Sequence, residues 1–471
     1  MIQLQISEGE NMHHIQTRYN ILHILFWMIS CCINGFVAIY LKSKGLDNTL
    51  IGIVTGASCI LITLISPFVT SLLNKIQNLT IPKLITCLLS VASIAFLMIS
   101  YVSLPAGFIM LCYIYILTSF LSCVPLVSTI AMNYIAQGVE VNFGLARGMG
   151  SVSYAVSAVV LSNFVEWFDP NVLSVLFLCG VICLLSVVNT FPDYHEEKHE
   201  VKKSGNILTI IKKYKLLFVI LLGWSFTFSA STSLSTYLIN VVEHLGGNTM
   251  IYGFAVFAMA ASEMPAMAVT RKLMRKFDVM TLIVVAGVSY LCRNILIAMA
   301  PSLLFVFIGV LFQSTSYGLL TSTMAYYVSD TCEKEDQIMG QTLLGMMTTG
   351  LGSMLGNVAG GILQDAFGLS SMLIFAMLMT VIGALILIGV GIIHKKNIRK
   401  GTVKCLLMYY ANFQAVSNAM SIISVKLFCL SSAVKATGLN RWSEMERIAN
   451  AFFLFALASQ YNPAASISTH K

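Results

Sequence analysis

The sequence predicts an all-α membrane protein with twelve transmembrane helices in two pseudo-symmetric six-helix bundles. Of its 471 residues, 57% are hydrophobic and 10% are charged, and the mean hydropathy is +0.83. A soluble domain carries about 25% charged residues, so the composition indicates that lipid surrounds most of this chain. Apolar stretches of about 20 residues, the length that crosses a bilayer, recur along the sequence. The two halves of the chain also resemble each other.

The distribution of Lys and Arg predicts the orientation of these spans, because basic residues concentrate in cytoplasmic loops. With a cytoplasmic N-terminus, Lys42 and Lys44 face outward and the other loop cations face inward. This indicates a multi-pass plasma-membrane protein with both termini in the cytoplasm, and it explains the net charge of +8 without a nucleic-acid partner. The predicted spans cover residues 19–41, 49–73, 82–102, 106–134, 148–167, 171–191, 216–241, 250–270, 279–299, 303–328, 340–364 and 370–393.

One long polar segment divides the chain into its two halves. The segment PDYHEEKHEVKKSGN begins at Pro192 and lies between the sixth and seventh spans. We therefore predict an N-terminal bundle (1–191), a cytoplasmic linker (192–215), a C-terminal bundle (216–393) and a cytoplasmic tail (394–471). The first twenty residues are polar and lead into a full span, so no cleavable signal peptide is expected.

An internal repeat links the two halves. The stretch YLKSKGLDNTLIG follows the first span and begins at Tyr40, and YLINVVEHLGGNTMIYG follows the seventh and begins at Tyr237. Both contain Tyr-Leu, a polar loop, Asn-Thr and a glycine. Duplicated halves are typical of secondary transporters, whose solute site lies between the halves near the bilayer midplane.

Two charged residues, Glu263 and Arg293, fall deep within predicted spans. An ionisable residue at such a depth costs at least about 2.5–3.5 kcal/mol, and a functional role is the default interpretation. One hypothesis is a structural ion pair between adjacent helices. The other is proton coupling, in which Glu263 gains and loses a proton and Arg293 tunes its proton affinity.

A third charged residue, Arg147, stands at the start of the fifth span in the stretch FGLARGMGSVSYA. Helical spacing places Arg147, Ser151 and Tyr154 on one stripe. A guanidinium, a hydroxyl and an aromatic ring together suit a small polar solute. The alternative is that the arginine side chain snorkels to the cytoplasmic membrane surface.

Other polar side chains within spans complete the predicted solute cavity. The seventh span is rich in hydroxyl groups, the tenth places Gln313, Ser316 and Tyr317 on one face, and the first contains Asn34. The 12 cysteines are scattered through apolar stretches without metal-ligand spacing. No phosphate-binding loop or hydrolase motif appears. We therefore expect no enzyme activity, cofactor or metal.

These features resemble the oligosaccharide:proton symporter branch of the major facilitator superfamily, the lactose permease-like transporters. The resemblance covers residues 19 to about 393. It implies that Arg147 and Tyr154 bind solute and that Glu263 and Arg293 link binding to proton movement. Residues 66–75, SPFVTSLLNK, resemble the gating-loop motif of the superfamily, which places Asn74 and Lys75 in it.

The sequence also departs from this family. Ser128 or Thr129 stands where the family has an acid in span four, and Gln313 and Ser316 replace a histidine and a glutamate in span ten. The resemblance still implies a monomeric secondary active transporter that carries a small sugar or another polar organic solute together with a proton, by alternating access. Its partners are then that solute, the proton and the lipid bilayer. A uniporter or exporter, and a membrane sensor that transports nothing, are the alternatives.

Overall fold

The computed structural model describes residues 2–75, 79–136, 139, 141–191, 207–333 and 336–400. Seventeen α-helices run through these ranges: α1 Ile2–Ser30, α2 Val37–Ser43, α3 Asn48–Lys75, α4 Ile81–Tyr101, α5 Ala106–Ala136, α6 Phe143–Trp167, α7 Val172–Val188, α8 Ile207–Lys213, α9 Lys215–Thr236, α10 Leu238–His244, α11 Thr249–Lys276, α12 Val279–Ala298, α13 Leu303–Leu311, α14 Leu319–Thr331, α15 Gln337–Gly345, α16 Ser353–Phe367 and α17 Leu369–Lys400.

Each predicted span lies on these helices. Within the described residues, nine helices are long and apolar enough to cross a bilayer, and α1 with α2 makes a tenth span that bends by 49°. The other two predicted spans lie on α7, which has 17 residues, and on α15–α16, which a π-helical turn interrupts. Neither is long enough to be counted by the same criterion.

The helices pack as two bundles that meet along two helix pairs. In the first half, α1 packs against α6 and α7, and α5 packs against α3 and α4; in the second half, α12 packs against α9, α13 and α14. Across the halves, α3 packs against α16 and α6 packs against α11. The structure therefore confirms the all-helical fold with two bundles.

Three spans contain π-helical turns, at Cys31–Gly35, Ser314–Gly318 and Met346–Gly352. Each turn inserts one extra residue per helical turn and shifts the side chains that follow, and such turns are frequent at functional sites. Asn34 lies in the first of them, and Ser316 and Tyr317 lie in the second.

The two copies of the internal repeat lie together at one end of the molecule, which we call the closed end (residues 42–52, 237–253 and 357–365). Gly45 and Gly246 occupy equivalent places in the two repeat loops and have φ values of +82° and +80°. These left-handed conformations favour glycine because a side chain would be strained there. The matching turns show that the repeat found in the sequence is also a repeat in the structure.

Close backbone approach seals the closed end. A side chain at Gly52 would overlap the carbonyl oxygen of Asn357, and one at Gly361 would overlap that of Asn48. The Tyr237 hydroxyl lies 2.9 Å from the Asn48 carbonyl oxygen and 3.0 Å from that of Asn357. The small residues thus let α3 and α16 pack backbone to backbone.

Polar contacts across the halves reinforce this seal. Asp365 on α16 accepts hydrogen bonds from the Asn48 side chain (2.7 Å) and from the Thr49 backbone N–H (2.5 Å) at the start of α3. Asn240 donates to Asn48 (2.9 Å), and Lys42 donates to Asn240. A carboxylate is stabilised at a helix N-terminus, where unpaired N–H groups and the helix dipole favour negative charge.

The hydrogen bonds also determine how the closed end responds to pH. Partial burial opposes ionisation of Asp365, but the bonds from Asn48 and Thr49 outweigh burial and hold the pKa of this carboxyl below its ordinary value. A carboxyl with a lowered pKa contributes its stabilisation above its ordinary pKa, and that contribution is lost only as the pH falls through the lowered value. The Asp365 carboxyl should therefore stay ionised, and keep its hydrogen bonds to the start of α3, between roughly pH 5 and 8.

Several helix boundaries differ from the predicted span ends, among them the start of span five and the end of span twelve. Span five begins at Phe143 rather than 148, because the Asn142 side chain caps the Leu145 N–H (2.9 Å) and allows the helix to start earlier. The last helix continues to Lys400, seven residues beyond the predicted end.

The predicted linker and tail fall mostly outside the described residues, which exclude 192–206 and 401–471. The end of the linker is the short helix α8, and Lys213 at its C-terminus lies 2.7 Å from both Glu333 and Asp336. The Lys213 and Tyr214 hydrogen bonds hold the pKa of Asp336 below its ordinary value. The four domain boundaries stay predictions.

We predict that Asp365→Ala loosens the closed end, because the Asn48 side chain and the Thr49 N–H lose their shared acceptor. The measurement is the labelling rate of a cysteine at position 151, in a chain without its native cysteines, by an impermeant thiol reagent on the side of the closed end. We expect labelling to become several-fold faster.

The matched control is Glu166→Gln, which alters an exposed carboxyl near the end of α6. It should leave the labelling rate unchanged. Equal rates for Asp365→Ala and the parent chain would show that the carboxylate does not hold this end closed.

Candidate functional site

Arg147 lies on the second turn of α6 and faces α1. One of its terminal nitrogens donates to the Ser151 hydroxyl (2.8 Å), as the predicted stripe requires. Its guanidinium lies over the Trp27 ring, 3.9 Å from the ring centroid. A cation held over an indole face is stabilised by the ring quadrupole. The guanidinium is therefore fixed against a flat surface, and it remains half-buried rather than enclosed.

Close packing of α1 on α6 positions Trp27. Gly150 has no side chain, and a Cβ there would overlap the indole ring. One turn earlier on α1, His23 is 3% exposed and its Nε2 lies 2.9 Å from the Tyr19 hydroxyl. The His23 Nδ1 and the Trp27 Nε1 are buried without a protein partner. This face of α1 thus presents unpaired polar atoms beside Arg147.

Glu263 lies on α11, the helix that packs against α6 from the other half. Its Oε1 accepts a hydrogen bond from the Gln313 amide nitrogen (2.8 Å). Gln313 is 6% exposed, and its carbonyl oxygen is buried without a partner. Gly318, at the end of the π-helical turn that follows, allows the turn to lie against the backbone of Glu263. The carboxyl is thus held between the two halves.

Arg293 lies on α12 and is 1% exposed. Its guanidinium donates to Ser231 (2.8 Å) and Ser235 (3.1 Å) on α9, and to the neighbouring Asn294 (2.8 Å). Asn294 in turn donates to Thr380 on α17 (2.7 Å). The hydroxyl-rich seventh span therefore supplies neutral acceptors to a buried cation, as buried polar groups require.

The hypothesis of a structural ion pair between Glu263 and Arg293 is not supported. The ion pairs formed within the described residues are Lys42–Glu243, Lys213–Glu333 and Lys213–Asp336, and Glu263 takes part in none of them. The terminal nitrogens of Arg293 donate to α9 and the Glu263 carboxyl accepts from Gln313, so the two side chains use different partners.

Arg147 and Glu263 lie on facing helices. Their sequence neighbours Gly148 and Met264 lie close together, since a Cβ added at Gly148 would be 3.9 Å from the methyl carbon of Met264. The structure thus brings a guanidinium of one half and a carboxyl of the other to the same interface. It forms no ion pair between them among the described residues.

The remaining residues predicted to bind solute contact mainly their own helices or neighbouring aromatic and glycine residues. Tyr154 lies against Gly35 in the π-helical turn of span one, and Asn34 donates back to Ser30 in its own helix (3.2 Å). Ser316 donates to the Phe312 carbonyl (2.7 Å), and the Tyr317 ring packs 5.9 Å from the ring of Phe228. Asn74 and Lys75 lie in α3, but their side chains are outside the described set.

Sequence reasoning missed the contribution of α1, in particular Trp27 and His23. An aromatic residue in an apolar span is typical of the hydrophobic core, so the sequence did not indicate that Trp27 stacks on Arg147. His23 was detectable, because it is the one histidine within any predicted span and lies four residues before Trp27, on the same helix face. Within the described residues, no three His, Cys, Asp or Glu side chains lie together as a metal site would need.

Comparison with known proteins supports the architecture. The model of the MFS_1 like family matches residues 16–377. The maltose permease of Geobacillus stearothermophilus is 22% identical over 267 residues, which is 56% of this chain and 67% of that protein.

Solved structures agree with this match in fold. The nucleoside transporter NupG is similar with a TM-score of 0.66 at 14% identity, over 80% of this chain and 98% of that one. A bacterial homologue of the human lysosomal transporter Spinster, inward-facing and unoccupied, gives 0.63 at 12% identity, over 81% and 97%.

We predict that Gly150→Ala destabilises the protein by about 1–3 kcal/mol, the usual cost of overpacking a close contact, because the methyl group collides with Trp27. Gly148→Ala is the matched control, since its methyl group meets Met264 at an ordinary contact distance. Thermal unfolding of the purified chain in detergent measures both. Equal stability of the two variants would contradict the packing described for α1 and α6.

Proposed function

Because the chain belongs to the MFS_1 like family, whose members are transporters and not enzymes, we propose that it is a secondary active transporter. It moves a small sugar or another polar organic solute together with a proton, by alternating access of the site between its two halves. We further propose that it works as a monomer in the plasma membrane with both termini in the cytoplasm. The closed end would then face outward.

The position of Glu263 supports this proposal most directly. Glu263 lies on α11, the helix of the second half that packs against α6 of the first. Its environment is set by one donor, Gln313, and by two arginines that are not ion-paired to it. When the halves move relative to each other, the hydration of this carboxyl changes, and loss of water favours its protonated form.

Arg293 acts here as a fixed positive charge. Its hydrogen bonds to Ser231 and Ser235 tie α12 to α9, so its position does not depend on the protonation of Glu263. The solute is bound by Arg147, Ser151 and Tyr154 from the first half, with Tyr317 and Asn34 nearby on the π-helical turns. Gln313, which the sequence placed among the solute residues, is better assigned to the proton site because its amide already contacts Glu263.

We predict that Glu263→Gln abolishes uphill accumulation of solute but spares exchange of solute across the membrane, since the amide cannot carry a proton. Proteoliposomes containing the full chain and loaded with a panel of sugars, nucleosides and organic acids provide both measurements. Accumulation is driven by an imposed pH gradient, and exchange is measured as counterflow without one.

Normal accumulation by Glu263→Gln would contradict the proton role of this carboxyl. Counterflow without accumulation in the parent chain would favour a uniporter or exporter. Solute binding without any flux would favour a sensor built on a transporter fold.

We also predict that Gln313→Leu moves the pH profile of uptake to higher pH by about one unit. The amide donates to the ionised carboxyl and favours that form, and a hydrogen bond to a charged group contributes about 1.5–3 kcal/mol. Without it the proton is retained at higher pH. Uptake is measured between pH 5 and 9 in the same proteoliposomes.

Ser316→Ala is the control for this variant, because its hydroxyl bonds back to Phe312 within the same π-helical region. Its profile should match that of the parent chain. An unchanged profile for Gln313→Leu would remove Gln313 from the proton site.

A further inference from the structure

The charges inside the bundle do not balance. The interior of the described spans holds two guanidinium groups, Arg147 and Arg293, and one carboxyl, Glu263. With Glu263 ionised the interior carries one net positive charge, and with Glu263 protonated it carries two. Uncompensated charge is costly in a medium of low dielectric constant, so this imbalance needs a physical reason.

Among the described residues, no carboxylate forms an ion pair with Arg147. The elements that pack against α6 are α1, α7, α11 and the π-helical turn of span one. In the described side chains of these elements Glu263 is the one acid, and it bonds to Gln313 instead. On α5, Ser128 and Thr129 donate to carbonyl oxygens of their own helix, at 3.1 Å and 2.9 Å.

The geometry of Arg147 also suits a ligand. One terminal nitrogen contacts Ser151, and the flat face lies on Trp27. The other N–H groups belong to a half-buried side chain and have no protein acceptor among the described residues. A guanidinium presents its donors as a planar fork that matches the two oxygens of a carboxylate or phosphate. Stacking on Trp27 keeps that fork in one plane.

Arg293 cannot take the same role. Its terminal nitrogens are occupied by Ser231, Ser235 and Asn294, and it is almost fully buried. It nevertheless adds to the positive potential of the interior, since all of these acceptors are neutral. The Nε of Arg293 has no partner among the described residues, but it is buried. The donors that a solute can reach therefore lie at Arg147, and the surplus charge belongs to the site as a whole.

We infer that the transported solute is an organic anion, with a carboxylate or phosphate group that binds Arg147 through two N–H groups. This inference rests on the proposed transport function and specifies its substrate class. A singly charged anion that moves with the proton of Glu263 carries no net charge, so the pair could cross the bilayer as a neutral unit. A neutral sugar would leave the surplus charge uncompensated.

The test compares matched solutes that differ in the anionic group: D-glucose with D-glucuronate and D-glucose 6-phosphate, and glycerol with glycerate. Binding is measured by thermal stabilisation of the purified full chain, and flux by counterflow in proteoliposomes. We expect at least one anion to stabilise and exchange at concentrations roughly tenfold or more below those that its neutral partner needs. The arms with glucuronate and glucose 6-phosphate distinguish a carboxylate from a phosphate.

Substitutions of Arg147 test whether the preference for the anion depends on this side chain. Arg147→Gln should abolish the preference for the anion, whereas Arg147→Lys should retain part of it, because the charge remains but the planar fork is lost. Arg275→Gln, which alters an exposed arginine in the last turn of α11, should leave the preference unchanged. An anion preference that survives in Arg147→Gln would overturn the inference.

The failure of this inference is distinct from failure of the proposed function. Counterflow of the neutral member at equal or lower concentration than its anion would refute the anion inference and leave the transporter intact. Stabilisation by the anions without counterflow of any solute would support the anion site and contradict transport. Absence of stabilisation by every anion in the panel would overturn the inference.

Discussion

The interior of this protein depends on one constraint: a charged group inside the membrane cannot be hydrated and must be hydrogen-bonded by the protein. Each of its three deep charges is held by neutral partners: Arg293 by hydroxyls of the seventh span, Glu263 by Gln313, and Arg147 by Ser151 and the face of Trp27. Because these partners are neutral, the interior keeps a net positive charge whether Glu263 is ionised or protonated. A site arranged in this way is sensitive to any proton or anion that enters it.

The same arrangement links the site to the movement of the halves. Glu263 and Arg147 lie on α11 and α6, one of the two helix pairs with the most extensive packing between the bundles. The other pair, α3 with α16, leads to the closed end. There Asp365 of one half caps the start of α3 in the other. In the alternating access that we propose, rocking of one bundle against the other would therefore change the surroundings of the charges and the hydrogen bonds of the closed end together.

Much of this architecture followed from the sequence, and the exceptions have physical causes. Hydropathy located the spans, because a bilayer requires about 20 apolar residues whatever the tertiary contacts are. Helical periodicity placed Arg147 and Ser151 on one face, since their spacing lies within a regular helix. The contact of Gln313 with Glu263 did not follow, because the π-helical turn at Ser314–Gly318 alters the packing of span ten. The sequence did not distinguish Trp27 from an aromatic residue of the apolar core. It also did not predict that Glu263 and Arg293 use different partners, because that depends on which helix each side chain reaches.

The central claim is that Glu263 takes up a proton as the solute binds between the halves. The most direct measurement is the pH of a lightly buffered solution of the purified full chain, recorded as sugars, nucleosides and organic acids are added one at a time near neutral pH. We expect alkalinisation by up to one proton per chain with a solute that binds, and none in Glu263→Gln when binding is shown independently. Undiminished proton uptake by Glu263→Gln would contradict it.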